Sequence, residues 1–247
     1  MVGIHFITFA DGIYEKYVKA SSNLRKMAID YNIFDSIQVY GLNDIKDDID
    51  FKQHVPFLQN RRGFGYWIWK PYIIWKKLCS IPENDILVYL DSCCTLNLGG
   101  KPRFMEYIDI LKSNNSGNMF IEMDTSIEDW CKMDTIIKLN AQSVQKEREV
   151  VPGVIFTTNN PKNRKLFKSV FDTISSDYRL VDDTPSIIPN ASTYKEHRHD
   201  QSIFSIIVRQ EYSDSIYSNM FDEFYFQSAT PKLKREDYPV WIHANNH

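Results

Sequence analysis

Five consecutive apolar residues, Ile86-Leu87-Val88-Tyr89-Leu90, lie between Asp85 and Asp91. A strand that is apolar at every position has to be covered on both faces, and such strands occupy the middle of largely parallel sheets with helices packed on either side. This one segment therefore points to an α/β architecture. The carboxyl ends of strands are where open α/β sheets bind ligands, and Asp91 stands at that end.

The surrounding pattern agrees. Ile4 to Phe9 reads as a first strand and Ser36 to Tyr40 as a second, stopping at Gly41. Between them Ile13, Tyr17, Ala20, Leu24, Met27 and Tyr31 recur at helical spacing and predict one apolar stripe. Residues 43 to 60 read as short helix and loop. Pro71 suits the first turn of a helix running to about Cys79. Met119 to Met123 and Gly153 to Thr157 predict strands, 126 to 148 and 162 to 174 predict helices, and the proline-bearing stretch from Asp182 to Glu196 predicts a loop. A last helix begins near Asp200 and runs to about Arg209. There is no internal repeat, low-complexity tract or linker, so residues 1–247 read as a single domain with a mainly parallel central sheet flanked by helices on both faces.

The chain is long enough for a substantial core. Its formal net charge of -3 argues against a protein dedicated to nucleic acid, which would show a basic face. No run approaches the roughly 20 apolar residues of a membrane span. The N-terminus enters the first strand without a basic leader, and Cys79, Cys93, Cys94 and Cys131 lack metal-knuckle spacing. These features predict a cytoplasmic setting and no transmembrane segment.

The second informative segment is Arg61-Arg62-Gly63-Phe64-Gly65-Tyr66-Trp67-Ile68-Trp69-Lys70-Pro71. Glycine lets backbone approach a ligand closely, and Arg and Lys can meet phosphate charge. Ahead of the Asp91 strand, this stretch suggests a site for a phosphorylated, metal-bound ligand.

Three motifs in order resemble those of GT-A-fold, nucleotide-sugar-dependent glycosyltransferases, especially small bacterial and large-virus enzymes with a Gly-Tyr-Trp-x-Trp-Lys-Pro segment. They are Gly63 to Pro71, Tyr89-Leu90-Asp91-Ser92-Cys93, and His197-Arg198-His199-Asp200-Gln201-Ser202-Ile203-Phe204. The resemblance implies a hexosyl- or deoxyhexosyltransferase that moves sugar from a UDP- or GDP-type donor to a hydroxyl of a glycan or glycoconjugate. It places Thr8, Phe9 and Ala10 against the nucleotide, Arg62 and Lys70 on the diphosphate, Tyr66 in the donor pocket, and Gly153 where the sugar nears backbone. Asp200 and Gln201 become the catalytic candidates, with Asp200 as general base, donor-positioning group or charge stabiliser. A helix cap is the structural alternative for Asp200.

Loss of a nucleoside diphosphate calls for charge neutralisation, which a divalent ion supplies. The resemblance puts Asp91 at the metal position, with His243 completing the site and favouring Mn²⁺ over Mg²⁺. Cys93 departs from the family's second Asp, and a thiolate suits neither hard ion. Two other readings stay open at this point: a sugar-phosphate nucleotidyltransferase, and a non-catalytic nucleotide-sugar or glycan binder with a decayed metal site.

Overall fold

The structure, a computed structural model, describes residues 2–217, 220–225 and 235–242. Its strands are β1 (Ile4–Phe9), β2 (Ser36–Tyr40), β3 (Ile86–Leu90), β4 (Cys94–Leu96), β5 (Asn118–Ser126), β6 (Arg148–Val150), β7 (Val154–Thr158), β8 (Ile216–Tyr217) and β9 (Val240–Ile242). Seven of them form one sheet in the order β2-β1-β3-β7-β5-β6, with β8 paired to β5. β1 runs parallel to β2 and β3, and β5 parallel to β8, whereas β7 runs antiparallel to β3 and β5 and β6 antiparallel to β5. Five strands thus point one way and two, β6 and β7, the other. β4 and β9 make a separate antiparallel ribbon.

Alternation along the strands explains the layers. Ile4 and Phe6 of β1 face the same side as Ile86, Val88 and Leu90 of β3, while Ile7 and Phe9 face the other with Leu87 and Tyr89. The first side is covered by α1 (Glu15–Tyr31), which presents Leu24, Ala28 and Tyr31, and by a helix over Lys101–Ser113 bearing Phe104, Tyr107, Ile108 and Leu111. The second is covered by helices over Trp69–Ser80, Pro161–Ser176 and Asp200–Glu211, through Tyr72, Ile73, Leu78, Phe167, Phe171, Ile203 and Phe204. In chain order these helices are α2 (Trp69–Ser80), α3 (Lys101–Ser113), α4 (Pro161–Ser176) and α5 (Asp200–Glu211). Burying each large apolar side chain contributes roughly 1.5–3 kcal/mol, so the doubly covered β3 anchors the fold.

Local signals fix the ends. Asn160 accepts the Asn163 N–H ahead of Pro161, which starts α4, and α1 stops at Asn32, held left-handed at φ 51°.

Two expectations need correction. The α1 stripe is rotated: Ile13 is 64% exposed, and the buried face is Ser21, Leu24, Ala28 and Tyr31. Ile13 precedes the helix, so it does not share its periodicity. Residues 126–148 are not one helix but two short ones, Ile127–Trp130 and Met133–Lys138, followed by turns and β6. The break at Cys131, extended at φ -130° and ψ 128°, sends the Lys132 side chain into the interior. There its Nζ lies 2.9 Å from Asp182 Oδ1 and 3.2 Å from the Thr184 carbonyl oxygen.

Candidate active site

A cleft of about 870 Å³ opens at the carboxyl ends of β1 and β3. Phe9, Ala10 and Asp11 line it from the end of β1, Asp91 to Cys93 from the end of β3, and Asp200 and Gln201 from the start of α5. Arg61, Arg62 and Trp67 form part of another wall, with Met123 to Thr125 of β5 also on the lining.

Asp91 follows Leu87 and Tyr89 in the two-residue repeat of β3, so it continues toward the α2 face. Lys70, in the first turn of α2, meets it there. Lys70 Nζ lies 3.3 Å from Asp91 Oδ1 and 3.1 Å from Asp200 Oδ2. The Tyr89 hydroxyl donates to the same Asp91 oxygen. On the other side, a Cβ on Gly153 would lie 2.7 Å from Asp91 Oδ2, so only glycine leaves room for this carboxylate.

Two carboxylates here share one ammonium, and one negative charge is left over. Burial alone would lower the Lys70 pKa, but Asp200 and Asp91 outweigh it and hold the pKa above its ordinary value. Burial pushes Asp200 up to about 6; Lys70 opposes this and the Asp91 charge adds to it. The opposite pull of the ion pair does not win at Asp200, because burial outweighs it. Asp200 therefore titrates close to neutrality, where a group can both accept and release a proton.

The glycines of the basic, aromatic segment permit an unusual turn, and Gly63 also lines the cleft. Gly63, Phe64, Gly65, Tyr66 and Trp67 have φ of 56°, 50°, 82°, 51° and 60°, making one left-handed turn. The Tyr66 N–H bonds the Arg62 carbonyl oxygen at 2.8 Å, and the Trp67 N–H bonds that of Gly63 at 3.1 Å. For the three non-glycine residues this conformation costs about 1–2 kcal/mol each. Tertiary contacts offset it: Trp69 Nε1 donates to the Gly63 carbonyl oxygen at 3.0 Å, and the Tyr66 hydroxyl to Asp183 Oδ2 at 3.0 Å. The turn also lays Trp69 flat on Phe9, with ring centroids 3.8 Å apart.

The segment ahead of α5 is buried, not solvated. The His197 Nε2–H donates to the Leu180 carbonyl oxygen at 2.8 Å, and Nδ1 accepts the Lys132 N–H at 3.3 Å. Burial, with His199 and Lys132 nearby, takes its pKa to about 3, so it is a neutral strut. The His199 Nδ1–H donates to the Val181 carbonyl oxygen at 2.6 Å, while its ring stacks on Trp67. Its backbone, at φ 52° and ψ -123°, lies in a region that costs a non-glycine residue about 1–3 kcal/mol. His199 occupies the cap position without a side-chain cap bond, and Asp200 is the first helical residue.

Of the expected donor residues, Phe9, Ala10, Arg62 and Lys70 line the cleft. Arg62 is also engaged by Asp183, at 3.2 Å. Tyr66 is buried against Asp183, and Thr8 is fully buried within β1. Gly153 backs Asp91, with Pro152 beside it on the lining. Asp183, Glu149 and Asp11 escaped sequence reasoning. Asp11 carried a signal, lying just past a strand end, but Asp183 sat in an ordinary polar loop.

The described side chains around Asp91 do not by themselves make up an Mn²⁺ site. Asp91 Oδ1 already receives Tyr89 and Lys70, and Cys93, in the turn that follows, offers sulfur, poorly matched to a hard ion. Among the described residues no group of three or more His, Cys, Asp or Glu is placed to hold a metal. The expected partner His243 lies outside the described residues.

No protein-family model matches the chain, and no curated protein matches it by sequence. Similar solved structures exist. Mouse xyloside xylosyltransferase 1, in its apo form, is 11% identical with a TM-score of 0.50, covering 99% of this chain and 99% of that one. The galactosyltransferase LgtC, solved with donor and acceptor sugar analogues, is 14% identical with a TM-score of 0.49, covering 98% and 87%. A glycosyltransferase involved in glycosylating the major capsid of PBCV-1 is 11% identical with a TM-score of 0.46, covering 90% and 83%. The likeness to the xylosyltransferase establishes the fold, the mixed α/β arrangement of GT-A glycosyltransferases.

Proposed function

We propose that this chain is a glycosyltransferase that moves a hexosyl or deoxyhexosyl group from a UDP- or GDP-sugar to a hydroxyl of a glycan or glycoconjugate. The observation that carries the reading is the Asp91–Lys70–Asp200 cluster at the floor of the cleft. It places an acid of pKa about 6 and a fixed cation at the sheet edge where α/β folds take their ligands.

In this reading the nucleotide lies along the end of β1, over Phe9, Ala10 and Asp11. Arg61 and Arg62 meet the diphosphate from just ahead of the left-handed turn, since Arg is suited to bidentate phosphate contact. Lys70 has a different part from the one its motif implied: saturated by two carboxylates, it holds Asp91 and Asp200 in register. Asp200 receives the acceptor proton or stabilises positive charge on the sugar, and Gln201 beside it contacts the transferred group.

A thermal-shift panel of UDP- and GDP-sugars, each read with Mn²⁺ and with EDTA, tests this. A ligand held ~100-fold above its dissociation constant adds roughly 2.7 kcal/mol. One nucleotide sugar should raise the melting temperature more than its nucleoside does. No shift from any donor in either condition would contradict the proposal.

A further inference from the structure

Glu149, on β6, is fully buried and makes no ion pair among the described residues. Its Oε2 accepts the Gln201 Nε2–H at 2.7 Å and the Thr125 hydroxyl at 3.4 Å, while Oε1 has no hydrogen-bond partner. Gln201 Nε2 also lies 3.0 Å from the Met123 sulfur. Met123, Thr125 and Gln201 all line the cleft. An amide carries donors on one end and an acceptor on the other. With the donors turned inward to Glu149 and Met123, the carbonyl oxygen is the end left for the cleft.

We infer that Glu149 is a positioning residue whose carboxylate fixes the Gln201 amide so that its carbonyl oxygen faces the cleft. Its importance for sugar transfer rests on the reading above; the orientation itself does not. An ionised carboxylate only accepts, so it admits one amide orientation. A protonated carboxyl can donate to the Gln201 oxygen and admit the reverse orientation, which presents the NH₂ group. Glu149 is therefore a lock that a proton releases.

The surroundings put that release near neutral pH. Burial pushes the Glu149 carboxyl up to about 8, and Gln201, Arg198 and Thr125 pull it back only in part. The charged and titratable groups facing it are Arg198 ahead of α5, and Asp129 and Cys131 on the segment after β5. Asp129 adds to the rise, and burial keeps the Cys131 thiol far above neutrality.

The test follows the side-chain amide ¹⁵N–¹H signals of Gln201, identified by their loss in Gln201→Glu, from about pH 6 to about pH 9.5. In the wild type they should shift with a midpoint near 8, and in Glu149→Gln that titration should vanish, because the substituted amide offers donor and acceptor at every pH. A melting curve confirms that the near-isosteric variant is folded. Gln201 signals that do not titrate in the wild type, or titrate alike in Glu149→Gln, would overturn the inference. Nucleoside diphosphate release across a panel of UDP- and GDP-sugars supplies the functional arm. At about pH 9, where the wild-type carboxyl is ionised, Glu149→Gln should lower kcat about tenfold, the upper range for one hydrogen bond, with KM little changed. Wild-type kcat in that variant would overturn the positioning role. Titrating Gln201 signals in a protein that turns over no donor would support the lock and count against the transferase reading alone.

Discussion

Lys70 Nζ and Asp200 Oδ2 lie 3.1 Å apart, joining the first turn of α2 to the first residue of α5 in a pair whose side chains are 5% and 7% exposed. Removing the cation leaves two carboxylates without their shared counter-ion. Lys70→Met should lose ~3–5 kcal/mol, as expected when one partner of a buried pair is deleted. The loss should depend on pH. The Asp200 carboxyl, raised above its unfolded value, holds a proton that the unfolded chain has released, so stability falls as pH rises. Urea unfolding of Lys70→Met and wild type at pH 5 and pH 8 checks this: the deficit should be larger at pH 8, and an equal deficit would contradict it.

Asp200 should govern the acid limb of turnover. Its pKa of about 6 means that the ionised form grows in as pH rises through that value. Rates with a matched donor and acceptor should therefore climb through it, with a second rise near 8 as Glu149 ionises. Asp200→Asn should remove the acid limb, and a profile that keeps it would assign the titration to another group.

Gly153 and Asp91 offer a test of site geometry. A Cβ at 153 would meet Asp91 Oδ2 at 2.7 Å, so Gly153→Ala should cost about 1–3 kcal/mol as local overpacking. In an Asp91→Ala background the obstructing carboxylate is gone, and the cost should shrink. Denaturant melts of the four proteins in this cycle give the coupling directly, and strict additivity would mean that the two residues do not constrain each other.

The left-handed turn makes a separate prediction through two glycines. Gly12, at φ 76°, has nothing within 4 Å of a built Cβ, whereas a Cβ on Gly63, at φ 56°, would lie 2.3 Å from the Trp67 ring. Gly12→Ala should show only the backbone penalty of about 1–2 kcal/mol. Gly63→Ala should add roughly 1–3 kcal/mol for overpacking and shift the tryptophan fluorescence as Trp67 is displaced. Equal losses with unchanged emission would argue against the turn.

Much of this framework could be read from the chain because it rests on local patterns. The two-faced apolar run of β3, the apolar run of β1 and the helical pattern over 162 to 174 are short-range signals, and each element lies close to where it was expected. Asp91, Lys70 and Asp200 were each singled out, but their meeting at one ammonium depends on three elements packing together. The failures are of the same kind. Residues 126–148 have helical composition, yet the chain breaks at Cys131 and buries Lys132 against Asp182, and nothing within the segment announces a partner 50 residues away. Glu149 looked like any charged residue in a polar stretch. Its importance comes from the apolar surroundings and from Gln201.

The most direct test of the central claim is release of nucleoside diphosphate from a panel of UDP- and GDP-sugars, with simple sugars as acceptors, by wild type and Asp200→Asn. At least one donor should be turned over by the wild type. Turnover should fall by something like 10²–10⁴-fold in Asp200→Asn, the range for losing a positioned acid–base group, with the melting temperature and donor affinity nearly unchanged. Release from no donor, or equal release by a folded Asp200→Asn, would contradict the assignment of this cleft to glycosyl transfer through Asp200.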